Sequence, residues 1–188
     1  MSTPRHDDYV SRAGAKLAHA LAAFRINPAG HVCADLGANT GGFTDCLIQH
    51  GAERVYAVER GYGVLDYRLR KNPRVIVLER TDALHVTLPE PVRVVTIDTG
   101  WTRQAVILPA ARRLLVPGGS IVSLIKPHYE APPEHLIDGV LPDGRGEEVI
   151  APLRTMLASI GLELLGETES PIRGHGGNRE CLWHLRPM

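Results

Sequence analysis

The sequence has 188 residues, a length that fits one domain with a single hydrophobic core. Hydrophobic residues make up 44% of the chain and charged residues 22%, which excludes the disordered, collagen-like and coiled-coil classes. Lysine plus arginine and aspartate plus glutamate both number 21, so the chain lacks the overall positive field of a stand-alone nucleic-acid-binding protein.

The cysteines, histidines and apolar segments indicate where the protein works. Cys33, Cys46 and Cys181 are too few and too scattered for a disulfide framework or a zinc cluster, and they favour a reducing cytoplasm. The nine histidines show no HExxH spacing, so we expect no metal site. The first ten residues contain no signal segment, and no stretch approaches the ~18 apolar residues that cross a bilayer. We therefore expect a cytoplasmic protein without a membrane partner.

The predicted elements begin with an amphipathic helix at about residues 11–24, whose apolar residues follow helical spacing and whose N-cap is Ser11. Apolar runs of strand length then alternate with helical stretches. The predicted strands are residues 31–36, 54–59, 74–78, 92–98, 120–126, 162–168 and 178–185. The predicted helices are residues 40–50, 64–71, 102–115 and 147–160, with Gly51, Pro117-Gly118-Gly119 and Gly161 as their stops.

Five of these strands are rich in Val, Ile and Leu, as buried parallel strands are. Alternating strands and helices predict an α/β fold, in which a seven-stranded, mostly parallel sheet carries helices on both faces. We expect one domain over residues 1–188. Residues 127–146, with four prolines and several glycines, read as a long loop after the fifth strand.

A glycine-rich turn joins the first strand to the next helix, where doubly wound sheets bind ligands. Its glycines, Gly37, Gly41 and Gly42, give GxxxGG instead of the GxGxxG of nicotinamide cofactors. The pattern instead resembles the first motif of methyltransferases that use S-adenosylmethionine. The candidate cofactor-binding residues at this turn are Asp35, Gly37, Asn39, Thr40, Gly41, Gly42 and Phe43.

Two acidic residues extend this candidate cofactor site. Glu59 ends the second strand about 20 residues beyond the turn, where a carboxylate can accept hydrogen bonds from both ribose hydroxyls. Asp82 follows the third strand and is a candidate acceptor for the adenine amino group, with Thr81 and His85 as alternatives.

Charged residues end the fourth and fifth strands. Asp98 and Lys126 follow runs joined by one crossover helix, so we expect them to meet at the carboxyl edge of the sheet, although an ordinary ion pair would also explain them. Lys16 borders the apolar stripe of the first helix, where a lysine stem often lies on apolar surface. Spacing alone does not identify a role for Glu180.

The order and spacing of several segments carry a family resemblance: residues 9–17, 35–46, 55–59, 61–63, 97–98, 126–127, 170–172 and 177–180. The chain resembles the FtsJ-like ribose 2'-O-methyltransferases and, within them, the TlyA group, also called hemolysin-like rRNA methyltransferases. The resemblance implies a Rossmann-like methyltransferase fold with S-adenosyl-L-methionine as cofactor. It also implies that Lys16, Asp98, Lys126 and Glu180 form a catalytic tetrad, with Asp98 close to the cofactor as well.

Two departures from the family pattern stand out. TlyA-type proteins normally carry an amino-terminal S4-like RNA-binding domain, and we expect this chain to lack it because its match begins at Tyr9. The family typically follows the tetrad aspartate with Val-Ser-Phe, whereas this chain has Thr99-Gly100-Trp101. That change alters one wall of the acceptor pocket.

The leading hypothesis is in-line methyl transfer to a ribose hydroxyl of RNA, with rRNA as the favoured acceptor and Lys126 as general base. Arg12 and Arg179 are candidate substrate-binding residues. They belong to two basic groups: Arg5, Arg12, Lys16 and Arg25 near the start, and Arg173, His175 and Arg179 before the last strand. An O-methyltransferase of a small hydroxylated molecule is the alternative, and a non-catalytic hemolysin-like binding protein is a third. The sequence predicts no oligomeric state.

Overall fold

A seven-stranded sheet organises the chain in the computed structural model, which describes residues 8–100 and 102–188. The strands are β1 (Val32–Leu36), β2 (Arg54–Val58), β3 (Val75–Leu78), β4 (Val92–Ile97), β5 (Leu115–Ile125), β6 (Leu162–Glu169) and β7 (Cys181–Pro187). The helices are α1 (Ala13–Phe24), α2 (Gly42–Gln49), α3 (Tyr67–Lys71), α4 (Gln104–Arg113), α5 (Pro127–Glu130) and α6 (Gly146–Met156).

The strand order is β3-β2-β1-β4-β5-β7-β6. Strands β1 to β5 pair in parallel, and β7 is antiparallel to both β5 and β6. The mostly parallel, seven-stranded α/β fold predicted from the sequence is confirmed. Because β7 runs against β5, the beginning of β7 lies at the edge where the parallel strands end.

Two apolar clusters pack against the two faces of the sheet. Leu17 of α1, Phe43 of α2 and Leu69 of α3 belong to the first cluster, whereas Ile107 of α4 and Ile150 of α6 belong to the second. Alternate residues of each strand point to opposite faces, so both faces of this sheet need apolar residues and both are covered by helices. None of the helices within the described ranges has the length and hydropathy that a membrane crossing requires.

The start of α1 differs from the prediction. Its N-cap is Arg12, in helical geometry and without a capping hydrogen bond from its side chain, so the predicted Ser11 cap is wrong. The carbonyl of Ser11 instead accepts a hydrogen bond from the Gly14 N–H at 3.1 Å. The Ser11 hydroxyl lies so near Gly42 that a β-carbon there would be 2.3 Å from it. Ser11 therefore packs between α1 and α2.

Two boundaries around β5 were also predicted wrongly. Helix α4 ends at Arg113, and Pro117-Gly118-Gly119 lie within β5. The cause is the pairing with β4, because Val92 lies opposite Leu115 and Val94 opposite Ser120, which makes β5 bulge at these residues. After β5, residues 127–146 are not wholly irregular, since they include α5 and a 3-10 turn at Pro133–His135.

Asp35 supports the glycine turn from within β1. Its side chain is fully buried and accepts hydrogen bonds from the hydroxyls of Thr44 at 2.7 Å and Thr96 at 2.9 Å. Burial raises the pKa of Asp35 from 3.8 to about 6, although the two hydroxyl donors oppose this shift. Asp35 therefore links β1 to α2 and β4.

Gly41 packs on the far side of the same turn. A β-carbon at this position would lie 2.2 Å from Leu69 Cδ1 and 2.9 Å from Leu65 Cδ1, and the residue has a φ of +104°. Both the space and the backbone conformation therefore require glycine. Its role is to let α3 approach the turn.

Gly41→Val should lower the free energy of unfolding by about 2–5 kcal/mol, because the strain of positive φ adds to the cost of overpacking against two leucines. Gly30→Val is the matched control: Gly30 has a φ of +70° and nothing within 4 Å of the new β-carbon, so it should lose only about 1–2 kcal/mol. Urea denaturation measures both. Equal losses would contradict the packing role of Gly41.

The stability of Asp35→Asn relative to wild type should depend on pH. Because the folded-state pKa is raised, the protonated carboxyl favours the folded state, and this contribution is complete below about pH 3.8 and lost as pH rises through about 6. The wild-type advantage should therefore be greater at pH 4 than at pH 7 by about 1–3 kcal/mol. Denaturant titrations at several pH values measure it, with the exposed Asp138→Asn as control. A difference that grows with pH would contradict this account.

Candidate active site

A cleft runs along the carboxyl edge of the parallel strands, where β1 lies between β2 and β4 and the strand order reverses. Ligands of doubly wound sheets bind at this point. The cleft has two adjoining chambers of about 360 and 380 Å³, within the size range of small-molecule sites. Gly37, Asn39, Asp98 and Gly100 line both. We call the chamber beside α1 and α5 the first chamber, and the chamber beside the ends of β2 and β3 the second.

The glycine turn forms the wall between the chambers. The N–H groups of Gly37 and Ala38 both donate to the Val58 carbonyl, at 2.9 and 3.0 Å. Gly37 has a φ of +84°, and a β-carbon there would lie 2.8 Å from the Asp98 carbonyl oxygen. A side chain at Gly37 would therefore separate the ends of β1 and β4.

Most of the predicted turn residues reach the cleft, and two do not. Those lining the first chamber are Gly37, Asn39, Thr40, Gly42 and Phe43, together with Ala38, which the sequence analysis did not single out. Asp35 and Gly41 are not among the residues that line the two chambers, so the structure does not bring them to the cleft with the other predicted turn residues. Both lie behind the turn: Asp35 is hydrogen-bonded to threonines of α2 and β4, and Gly41 packs against α3.

The second chamber contains both predicted acids. One carboxylate oxygen of Glu59 accepts from the Asn39 N–H at 2.8 Å and the other from the Gly61 N–H at 2.6 Å. Asp82 is exposed and accepts from the Leu84 N–H at 2.9 Å. Thr81 also lines this chamber, whereas His85 does not. Each carboxylate oxygen has further lone pairs available for hydroxyl or amino donors.

Two buried polar atoms in the cleft have no hydrogen-bond partner among the described residues, one in each chamber. They are Thr99 Oγ1 in the second chamber and His128 Nδ1 in the first. Buried polar atoms are normally paired, because leaving one unsatisfied costs about 1–3 kcal/mol. A polar ligand that bonds to them would remove this cost, so the chambers suit a ligand rich in donors and acceptors.

Two ion pairs face the first chamber. Lys126 Nζ lies 2.6 Å from Asp98 Oδ1 and donates to the Thr99 carbonyl at 3.2 Å. Lys16 pairs with Glu180, and both of these side chains are buried. The predicted meeting of Asp98 and Lys126 is therefore observed, and all four residues of the implied tetrad line one chamber. The two positive charges are balanced by two negative charges.

His128 is a residue of this chamber that the sequence analysis missed. It lies on α5, two residues after Lys126, and its ring is 4.3 Å from that of Tyr129. Burial, followed by the charges of Lys126 and Lys16, lowers the pKa of His128 to about 4. The imidazole is therefore neutral at pH 7. The sequence signal that could have identified His128 is its position in the first helical turn after a lysine that ends a strand.

The two predicted substrate-binding arginines have different environments. Arg12 is exposed and lines the first chamber. Arg179 lies outside both chambers and pairs with Asp143 at 3.1 Å and Glu169 at 3.0 Å. Arg173 pairs with Asp143 at 3.2 Å, so acidic neighbours pair with both arginines of the predicted basic group before β7. Arg5 and Trp101 lie outside the described residues, as does the side chain of His175.

Comparisons with known proteins agree with the resemblance inferred from the sequence. The model of the FtsJ-like methyltransferase family matches residues 9–186. YqxC from Bacillus subtilis is 39% identical over 186 residues, which cover 94% of this chain and 65% of YqxC. The 16S/23S rRNA (cytidine-2'-O)-methyltransferase TlyA from Mycobacterium tuberculosis is 40% identical over 185 residues, covering 95% of this chain and 68% of TlyA. The chain thus spans about two thirds of the length of these relatives.

Solved structures share the fold. A protein described as a hemolysin from Streptococcus thermophilus superposes with a TM-score of 0.92 at 35% identity, over 96% of this chain and 68% of that one. An S-adenosylmethionine-dependent methyltransferase from Mesorhizobium loti, 17% identical with a TM-score of 0.66 over 89% of this chain and 96% of its own, shows the fold alone. From the family match and the identities to its relatives, this chain belongs to the FtsJ-like methyltransferases, enzymes that take their methyl group from S-adenosylmethionine.

Proposed function

We propose that this protein is a 2'-O-methyltransferase of RNA, with rRNA as the acceptor. The observation that carries the proposal is the first chamber, in which two lysine–carboxylate pairs adjoin a second chamber suited to the cofactor. The name of the relative TlyA, a 16S/23S rRNA (cytidine-2'-O)-methyltransferase, supports ribose as the acceptor group.

The second chamber fits the nucleoside part of S-adenosylmethionine. Glu59 has acceptor capacity for ribose hydroxyls and Asp82 for the adenine amino group, while Thr99 Oγ1 lacks a partner among the described residues. Gly37 and Asn39 of the glycine turn line both chambers and so mark where the chambers adjoin. S-Adenosylmethionine would supply an electrophilic methyl carbon at this junction.

The first chamber would bind the acceptor hydroxyl and remove its proton. Lys126 is the proposed base, since Nζ is fixed by Asp98 and the Thr99 carbonyl at the edge shared by the chambers. A lysine can accept a proton only when its amine is neutral, so Lys126 has to release one proton before each turnover. Lys16, held by Glu180, would bind the acceptor from the opposite side of the chamber.

The carboxylates would keep the two lysines in register. Without Asp98 and Glu180, two ammonium groups in one chamber would repel each other and move apart. With them, the four charges sum to zero, so the chamber remains compact enough to align a hydroxyl with a methyl donor. Alignment of this kind can lower a reaction barrier by about 7–11 kcal/mol.

A small hydroxylated molecule is the second candidate acceptor. The observation that favours it is the neutralisation of Arg173 and Arg179 by Asp143 and Glu169, which removes one predicted contact surface for phosphates. A small acceptor would need only the first chamber. The name of the relative Hemolysin A from Brachyspira hyodysenteriae would suggest a non-catalytic role. Such a role does not account for the two ion pairs of the first chamber.

Lys126→Ala should reduce single-turnover methyl transfer at least about 100-fold while leaving cofactor affinity nearly unchanged, because proton removal is needed only as the oxygen attacks. Lys126→Arg should fail almost as badly, since a guanidinium stays protonated and cannot act as a base. Rapid-quench assays and calorimetric titration with S-adenosylmethionine measure the two quantities. An arginine variant with normal turnover would reduce Lys126 to a positive anchor.

RNA and small-molecule acceptors predict different responses to salt. If RNA is the acceptor, methyl transfer should fall steeply between 50 and 200 mM KCl at subsaturating substrate, because each phosphate contact releases counterions. Transfer of a labelled methyl group to total rRNA, followed by nuclease digestion to nucleosides, identifies the 2'-O-methylated product. Turnover that is insensitive to salt, with label in the metabolite fraction, would favour the small acceptor.

A further inference from the structure

Positive charge is concentrated between the end of β2 and the end of β3. Residues 60–80 contain six basic side chains, Arg60, Arg68, Arg70, Lys71, Arg74 and Arg80, and only two acidic ones, in a chain with no net charge. The two acids, Asp66 and Glu79, pair with Arg68 and Arg70. The other four basic residues have no ion pair with any described carboxylate. This segment therefore keeps uncompensated positive charge.

The opposite flank of the sheet differs. Arg154 there pairs with Glu147 and with Glu167, the latter at 2.9 Å, and Arg186 pairs with Glu163 at 2.7 Å. Arg173 and Arg179 are paired as well. Zero net charge thus conceals an uneven distribution, in which the side near α3 is positive and the side near β6 is neutralised.

Two tyrosines on the positive side are largely exposed. Tyr62 is 70% exposed and Tyr67 69%, so core packing does not account for either ring. The Arg80 guanidinium lies 4.3 Å from the centroid of the Tyr62 ring, and Lys71 Nζ lies 5.3 Å from that of Tyr67. Each ring is therefore paired with a cation. We call Tyr62, Tyr67, Lys71 and Arg80 together the α3 surface.

Backbone hydrogen bonds attach the α3 surface to the cleft. Arg80 N–H donates to the Gly61 carbonyl at 3.1 Å, and Gly63 N–H donates to the side-chain carboxylate of Glu79 at 2.8 Å, so the loop carrying Tyr62 is held against the end of β3. At the start of α3, the Asp66 N–H donates to the Thr40 carbonyl of the glycine turn at 3.0 Å. Arg60 and Val64 of the same loop line the second chamber.

We propose that the α3 surface binds unpaired nucleotides of the RNA that flank the methylated ribose, an inference that rests on the proposed function. Exposed rings provide stacking platforms for bases of any sequence, and adjacent cations bind the phosphates between them. Bases in a duplex are already stacked on one another, so the surface selects single-stranded segments. Because the α3 surface lies beside the second chamber, the RNA would extend from the first chamber toward the second.

Two pairs of substitutions separate stacking from charge. Tyr62→Ala with Tyr67→Ala should weaken binding of a fluorescein-labelled, unstructured 12-nucleotide RNA at least about 10-fold, with its salt dependence unchanged. Lys71→Ala with Arg80→Ala should reduce the slope of log affinity against log salt by about 1.4, the value for two phosphate contacts to a single strand. Fluorescence anisotropy over a KCl series measures both.

Matched controls exclude general effects of charge and folding. Arg93→Ala with Arg112→Ala removes two exposed arginines at the amino edge of the sheet and should leave RNA binding unchanged. Tyr62→Phe with Tyr67→Phe keeps the rings and should bind like wild type. In a probe containing 2-aminopurine, wild type and the phenylalanine pair should quench the fluorescence by stacking, and the alanine pair should not. S-Adenosylmethionine affinity should stay constant throughout.

The outcomes distinguish this inference from the proposed function. If wild type methylates RNA but the alanine pairs bind it like wild type, the α3 surface is not an RNA-binding surface, whereas the proposed function stands. If wild type methylates no RNA in the labelling assay, the proposed function itself fails. Loss of binding to phosphatidylserine vesicles in the alanine pairs, with RNA binding retained, would assign the surface to a membrane and overturn the inference.

Discussion

The pairing of each lysine in the first chamber with its own carboxylate is the constraint on which the rest of the site depends. Two buried or half-buried ammonium groups cannot share a small chamber unless opposite charges compensate them. Asp98 and Lys126 end neighbouring parallel strands, so the sheet itself brings them together. Lys16 and Glu180 are 164 residues apart and meet only because α1 packs against the side of the sheet on which β7 begins.

The chemistry of the cleft follows from where the strands end. Parallel strands deliver Glu59, Asp98 and Lys126 to one edge, and the antiparallel β7 delivers Glu180 to the same edge from its amino end. The glycine turn, with Gly37 against the Asp98 carbonyl, keeps β1 and β4 close enough for one cleft to serve both chambers. A methyl donor and a methyl acceptor can thus be held on either side of a single turn.

Much of this arrangement could be predicted from the sequence, because strand ends and turn glycines have strong local signals. The strand-end position of Asp98 and Lys126 was enough to predict their meeting. The roles of Lys16 and Glu180 had no local signal and came only from the family resemblance. Gly41 shows a limit of motif reading: its neighbours in space are Leu65 and Leu69, which a pattern of glycines does not reveal.

What the sequence did not predict depends on contacts between residues that are far apart in the chain. Pro117-Gly118-Gly119 lie in a bulged strand because β4 pairs on both sides of them, and such pairing is a long-range property. Arg179, a predicted substrate-binding residue, pairs with Asp143 and Glu169 from distant parts of the chain, which a local sequence pattern does not reveal. His128 was missed because the solvation of a single atom depends on the complete packing around it.

The antiparallel position of β7 has a consequence for the order in which the protein becomes functional. Lys16 is synthesised 164 residues before its partner Glu180. Until β7 inserts between β5 and β6, α1 carries a lysine that has no carboxylate partner and resists burial. A nascent chain that has not yet reached β7 therefore cannot close the first chamber. The buried pair makes the insertion of β7 a condition for completing the site that α1 begins.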